Sequence, residues 1–266
     1  MLVVIKGAGD LASGIALRLH HSGMDVVMTD LPNPLAIRRT VAFCEAIRDG
    51  QMTVEDVTAK CAVTKEDVES ILAEGAIPVL ADPEANIIRE IKPDVVVDAI
   101  LAKRNIGTTI NDAPIVIAVG PGFSAGDDCH AVIESMRGHT LGRAIYEGPA
   151  LPNTNIPGLI GGFAGERVLR APADGVFESV HKIGDLVKTG DVIGYVEGKP
   201  MCSTIDGVLR GLIADGTPVR EGLKSGDVDP RGKTEYCTLV SDKALAIAGG
   251  VLEAILKLSG GSYGRN

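Results

Sequence analysis

The opening stretch of the chain limits the possible folds more than any other. Residues 2–5 are an unbroken apolar run, the pattern of a short buried strand. Gly7-Ala8-Gly9-Asp10-Leu11-Ala12-Ser13-Gly14 follows at once, and a helical pattern then continues to about Gly23. Residues 25–28 form a second apolar run, with Asp30 just past it. Strand, glycine turn, helix, strand and acid is the order of a mononucleotide-binding half. In that reading Gly7 makes the tight turn and Gly9 lets a phosphate approach the backbone. Ser13 lies under the phosphates, and Ala12 lets the helix pack closely on the strand. Asp30 accepts hydrogen bonds from ribose hydroxyls. Asp10 has two readings. A carboxylate at a helix N-terminus favours the helix dipole and caps it, and the same carboxylate competes with a phosphate for the amide donors.

Composition narrows the ligand classes. Aromatic residues are 3% of the 266 and Trp is absent, which disfavours base stacking and carbohydrate platforms. The formal net charge of −9 argues against nucleic acid and anionic membranes as partners. No apolar run approaches the length of a membrane helix, and the first strand begins at Leu2, where a signal peptide would lie. Five cysteines, scattered and without a CxxC pair, argue against a disulfide framework or a structural zinc site. A cytoplasmic protein is expected.

Further along, apolar runs at 76–80, 94–97 and 115–119 alternate with helical patterns at 65–74 and 83–91. A mostly parallel sheet with helices on both faces follows from that alternation. Ligands in such sheets bind beyond the carboxyl ends of the strands. That rule selects the loop at 98–105, with Lys103 and Arg104, and the loop at 120–128, with Gly120 and Gly122. Arg38 and Arg39 either line the same edge or form a solvated face. Cys129 and His130 alternate on a strand and point to opposite faces, so no metal site is expected. Catalytic residues stay unassigned.

After a Gly-, Pro- and Asn-rich linker at 151–166 the composition changes. Ala173-Asp174-Gly175-Val176 recurs as Ile205-Asp206-Gly207-Val208. At the same offset Gly184 matches Gly216, Val187 matches Val219 and Gly190 matches Gly222. Two such units of short strands bury a core only by pairing. The pattern over 168–228 resembles biotinyl and lipoyl carrier domains, but the Ala-Met-Lys-Met attachment motif is absent, and Lys199, followed by Pro200, reads as a turn residue. The expected organisation is a Rossmann-like domain over 1–150, the linker, a barrel-sandwich hybrid domain over 167–240 and a C-terminal helix over 241–260.

Several motifs together resemble one family. They are Lys6-Gly7-Ala8-Gly9-Asp10-Leu11-Ala12, Arg38-Arg39-Thr40-Val41-Ala42-Phe43, Asp98-Ala99-Ile100-Leu101-Ala102-Lys103-Arg104-Asn105, Gly120-Pro121-Gly122-Phe123, Arg137-Gly138-His139 and Gly226-Asp227-Val228-Asp229-Pro230-Arg231. The chain resembles the bacterial accessory proteins of the selenium-dependent molybdenum hydroxylase system. Those are similar, through the Rossmann domain, to xanthine dehydrogenase accessory proteins. The resemblance implies a maturation factor for a molybdenum hydroxylase, partnered by that enzyme or its maturation proteins. Its ligand would be a nucleotide or the dinucleotide form of the molybdenum cofactor, held by Gly7, Gly9, Asp10, Ser13, Asp30, Lys103, Arg104, Gly120 and Gly122. Cys44, close in sequence to Arg38 and Arg39, or Cys202 would carry sulfur or selenium. Two alternatives stand beside it: an NAD-dependent oxidoreductase, since Asp30 favours NAD over NADP, and a non-catalytic interaction protein. Self-association is left open.

Overall fold

The structure is a computed structural model that describes residues 1–154 and 158–260. Residues 155–157 of the expected linker and the tail at 261–266 lie outside the described residues. The chain forms two units. The first holds residues 1–34, 42–154 and 240–260, and the second holds 35–41 and 158–239.

In chain order the first unit begins with β1 (Leu2–Lys6), α1 (Asp10–His21), β2 (Asp25–Thr29), α2 (Glu45–Asp49), β3 (Gln51–Val54) and β4 (Val57–Ala62). It continues with α3 (Lys65–Ala73), β5 (Ile77–Leu80), α4 (Ile87–Ile91), β6 (Val95–Asp98) and β7 (Ile115–Val119). Four short strands follow: β8 (Ser124–Ala125), β9 (Ala131–Ile133), β10 (Ala144–Ile145) and β11 (Gly148–Pro149). Nine strands make one sheet in the order β10-β9-β7-β6-β1-β2-β5-β4-β3. Neighbours from β9 to β4 are parallel, and both outermost pairs are antiparallel.

Alternation along the strands gives the sheet two apolar faces. Val4, Val27, Val96 and Val116 pack with Val68 and Ile71 of α3 and Ile87 of α4. Val3, Ile5, Val26, Val95 and Val97, also buried, point the other way. On that second side α1 packs on a helix from the far end of the chain, α5 (Asp242–Leu258). Gly250 of α5 sits so close to Gly142 that a Cβ on Gly250 would lie 2.0 Å from the Gly142 carbonyl oxygen.

The second unit contains β12 (Val168–Arg170), β13 (Gly175–Ser179), β14 (Leu186–Val187), β15 (Val192–Val196), β16 (Lys199–Cys202), β17 (Gly207–Leu212), β18 (Pro218–Val219) and β19 (Lys224–Asp229). Two four-stranded sheets form, β12-β19-β17-β14 and β16-β15-β13-β18. The internal repeat explains the pairing. The long strand β13 of the first copy pairs with the short strand β18 of the second, and β17 pairs with β14. Phe177, Ile193, Leu209 and Val228 are at the centre of the core so formed.

Beneath that core lies an ionic cluster. Asp227 and Asp229 on β19 are almost fully buried. Asp227 accepts hydrogen bonds from Arg167 Nη1 at 2.8 Å and Arg210 Nε at 2.9 Å. Asp229 accepts from Arg210 Nη1 at 3.1 Å and Arg231 Nε at 2.9 Å.

The expected fold class is corrected. The chain is an α/β protein with several sheets and few helices, and not a Rossmann-like domain followed by a separate barrel-sandwich hybrid and a helix. A doubly wound sheet needs a helix in each crossover. The crossover from β6 to β7 has none, because residues 99–114 are broken by Gly107, Asp112 and Pro114. The units also interleave: residues 35–41 belong to the second, and α5 belongs to the first. Among the described residues no helix is long and apolar enough to cross a membrane.

Candidate functional site

The carboxyl ends of β1 and β6 lie at the point where the strand order reverses, since β2 and β6 flank β1 on opposite sides. Crevices at such points hold ligands. The glycine turn is here. Gly7 has φ +99°, a conformation that L side chains avoid, and a Cβ on it would lie 3.0 Å from the Ala99 carbonyl oxygen. Gly9 caps α1, and a Cβ there would meet nothing within 4 Å, so the space above it is open.

Asp30 is turned inward. Its Oδ2 accepts the Ala8 amide and its Oδ1 the Leu31 amide, both at 2.7 Å. Burial pushes its carboxyl above the ordinary value, while those two amides pull it down. The carboxylate thus ties the turn to the end of β2, and each of its oxygens already has a donor. Ser13 is fully buried. Its Oγ donates to the Ala8 carbonyl at 3.2 Å and accepts the Phe43 amide at 2.8 Å, so it braces the turn from behind. Asp10 opens the first turn of α1.

The two loops selected by the strand-end rule interlock beside the turn. Leu101 and Lys103 have φ of +61° and +63°. A Cβ on Gly120 would lie 2.7 Å from Ser135 Oγ, and one on Gly122 would lie 2.5 Å from the Arg104 Cα. At Gly122 glycine lets the two backbones touch, and at Gly120 it leaves room for the Ser135 side chain. Asn105 Nδ2 donates to the Thr108 carbonyl at 2.8 Å and Asp128 Oδ1 at 3.2 Å, and Asp128 Oδ2 accepts the Ser124 amide at 2.8 Å. Gly7, Gly9, Asp10, Lys103, Arg104, Gly120 and Gly122 are thereby gathered on one edge of the sheet, with Lys103 and Arg104 exposed.

Lys243 is the residue that sequence reasoning missed. Ser241 caps α5 by accepting the Ala244 amide at 3.2 Å, which puts Lys243 in the first turn. Gly14 brings α5 against α1, because a Cβ on Gly14 would lie 2.7 Å from Ala244 Cβ. Burial, and then the Arg137 guanidinium, lower the Lys243 pKa, against the opposing pull of Asp10, Glu134 and Asp242. Arg137 is engaged by Asp242 through two bonds of 3.0 and 3.1 Å. Glu134 accepts the Met136 and Leu151 amides at 2.7 and 2.9 Å. Among the described residues the Lys243 amine has no hydrogen bond or ion pair. A signal for it existed in the sequence: a lysine in the first turn of a helix opposes the helix dipole.

The reactive-thiol reading of Cys44 is corrected. Burial and the neighbouring Asp30, Glu45 and Asp10 push its thiol well above the ordinary range. Arg38 and Arg39 belong to the second unit. There Arg38 donates to the Tyr236 and Leu239 carbonyls and Arg39 to the Leu212 carbonyl. Asp127 accepts from Ser124 Oγ, and His130 accepts the Val116 amide on Nδ1. Among the described residues no three metal-ligating side chains converge.

The fold is an α/β arrangement, and at its carboxyl edge stands an amine with no hydrogen bond or ion pair among the described residues. The chain is 54% identical over 257 residues to the uncharacterized protein YqeB of Escherichia coli K12, covering 97% of this chain and 48% of YqeB. It spans about half the length of that curated relative. No protein-family model matches the chain. Among solved structures it is similar to an aspartoacylase family protein of Mesorhizobium loti, with 12% identity, 85% and 84% of the two chains covered and a TM-score of 0.30. It is also similar to a succinylglutamate desuccinylase/aspartoacylase of Rhodobacter sphaeroides, with 14% identity, the same coverage and a TM-score of 0.26.

These findings correct the expected family. None of these relatives is described as an accessory protein of a molybdenum hydroxylase or of xanthine dehydrogenase. With the family go the maturation role, the NAD-oxidoreductase and interaction-protein alternatives, and the description of the first unit as a Rossmann nucleotide-binding domain. Likeness at these TM-scores carries neither the fold nor the reaction of the aspartoacylase-family proteins over to this chain.

Proposed function

We propose that the first unit binds a small molecule bearing a phosphate or carboxylate at the carboxyl edge of its large sheet. Lys243 is the observation that supports this most. A partly buried lysine amine with no partner, in a first helical turn, is unfavourable for folding, and perturbed groups in clefts mark functional sites. An anion would supply the missing partner. Lys103 and Arg104 add positive charge to the rim, and the open space over Gly9 admits the ligand to the first amides of α1. Asp10 and Asp30 set the limit: the acid group enters on the Lys243 side, away from the Ala8 amide that Asp30 holds. The five cysteines, none of them in a disulfide, support a reducing compartment, the cytoplasm.

Calorimetric titration with inorganic pyrophosphate tests this reading. The chain is expected to bind it at one site, and Lys243→Met is expected to weaken binding at least about tenfold, in line with loss of a charge-assisted bond. Lys243→Met keeps the length of the side chain and removes a desolvated charge, so its melting temperature stays at or above that of the parent. Lys243→Arg retains binding. Affinity falls as pH rises through the lowered Lys243 pKa, beginning below the ordinary lysine value of 10.5. Equal affinity in parent and Lys243→Met refutes the assignment.

A further inference from the structure

The helix missing from the β6–β7 crossover leaves a groove in the first unit, on the sheet face that carries α3 and α4. Its volume is about 910 Å³, within the range of small-molecule sites. Lys6 and His130 contribute from the sheet, residues 84–94 form one wall and residues 107–114 the other. We propose that this groove is a second binding site, for a small organic anion with an apolar body, separate from the carboxyl-edge site and independent of it.

Three observations carry the assignment. The first is unpaired positive charge. Arg89 and Lys92 stand on the α4 wall, both exposed, and among the described residues neither side chain has a hydrogen bond or ion pair. The acids that share the groove are partly engaged at home: Asp94 Oδ2 accepts the Leu2 amide at 2.8 Å, and Asp112 accepts the Thr109 amide and hydroxyl at 3.2 and 2.7 Å. Glu84 is the remaining acid and sits at the entrance of α4.

The second is backbone strain at one of those cations. Lys92 ends α4 in the left-handed region, with φ +46° and ψ +69°. Glycine or asparagine takes that position with least strain. A lysine there places a cation at the groove at a conformational cost.

The third is a fixed donor. The Val116 amide donates to His130 Nδ1 at 3.0 Å, so the neutral ring carries its proton on Nε2. The ring lines the groove and so offers a hydrogen-bond donor to a ligand. Among the polar groups the lining also presents Ile88, Pro93, Ile110 and Pro114. Lys6 is held back from direct capture: its amine donates to Thr108 Oγ1 at 2.6 Å, and Thr108 in turn donates to the buried Asp98 at 2.6 Å. An acid group at Arg89 and Lys92, a hydrocarbon or aromatic body along the isoleucines and prolines, and an acceptor at His130 describe the ligand.

The test uses 8-anilinonaphthalene-1-sulfonate, which joins an acid group to an apolar body and fluoresces when its rings leave water. The full chain is expected to bind it saturably at one site. Amide chemical-shift changes are expected to gather at 84–94, 107–114 and 130. Lys92→Gly relieves the left-handed backbone, so it is expected to melt no lower than the parent while binding the probe at least about fivefold more weakly. Arg89→Gln combined with Lys92→Gly is expected to weaken it further, with pyrophosphate affinity at the carboxyl edge unchanged. Full affinity in the double variant, or shifts confined to other residues, overturns the proposal. A loss of pyrophosphate binding in the same variant overturns the independence of the two sites.

Discussion

Replacing Asp227 by alanine is expected to be among the most damaging single changes in the chain. The carboxylate is almost fully buried on β19 and holds Arg167 and Arg210. Removing it leaves the Arg167 guanidinium beside the core without its counter-charge and Arg210 with Asp229 alone, and breaking a buried pair from one side costs about 3–5 kcal/mol. For a unit of this size that lowers the unfolding midpoint by roughly 10 °C or more, which calorimetry would read directly. Arg167 makes the case sharper. Its Nε is buried and has no hydrogen-bond partner even in the intact cluster, so without Asp227 it keeps only the bond from Nη2 to the Gly158 carbonyl at 3.2 Å.

The same cluster sets a pH dependence. Burial alone would raise the Asp229 carboxyl, but hydrogen bonds from Arg231 and the charges of Arg210 and Arg231 outweigh it and hold the pKa below the ordinary 3.8. A lowered carboxyl pKa means that the unfolded chain binds more protons. The stabilisation is complete above pH 3.8 and is lost as pH falls below it toward the folded-state value. Acid unfolding followed by near-ultraviolet dichroism should therefore steepen below that pH, and Asp229→Asn should remove this contribution.

A second large effect is expected at the paired glycines of α5. Gly250 meets the Gly142 carbonyl with no room for a methyl group, and Gly142 itself has φ +78° and touches the Ala246 carbonyl in the same way. Gly250→Ala must push the helix off its seat, at a cost of about 1–3 kcal/mol or more. Gly249, one residue earlier, faces open space. There alanine brings only its higher helix propensity, about 0.8–1 kcal/mol of added stability. Adjacent, chemically identical substitutions thus have opposite signs, and thermal melts of the pair check the packing of α5. Gly250→Ala should also weaken pyrophosphate binding, because α5 carries Lys243.

What could be read in the sequence depended on where each element's partners lie. The strand, turn and helix at 2–21 were legible because the apolar period and the glycines are local. The repeat at 173–222 was legible because two copies of one pattern confirm each other. β19 was not. Its inward residues include Asp227 and Asp229, which break the apolar pattern of a buried strand; the arginines that neutralise the acids include Arg167 and Arg210, distant in sequence. The missing crossover helix was obscured for the opposite reason. The apolar strands β6 and β7 suggest a doubly wound sheet whatever connects them, and the loop between them decides the matter. At the carboxyl edge the glycines and loop cations could be named from spacing. The inward turn of Asp30 and the burial of Ser13 depend on tertiary contacts with Ala8 and Phe43. Lys243 required knowing that α5 returns to α1. Family and function were misread because motif likeness in a common α/β arrangement does not carry chemistry with it.

The most direct test of the carboxyl-edge site is the titration of Lys243 itself. With the lysine side chains labelled for NMR, the Lys243 amine is expected to titrate below the ordinary 10.5 in the free protein. It should move upward when pyrophosphate is added, because an anion at the amine favours its charged form. A Lys243 pKa that stays in place at saturating pyrophosphate, while the ligand is bound elsewhere or not at all, would contradict the account.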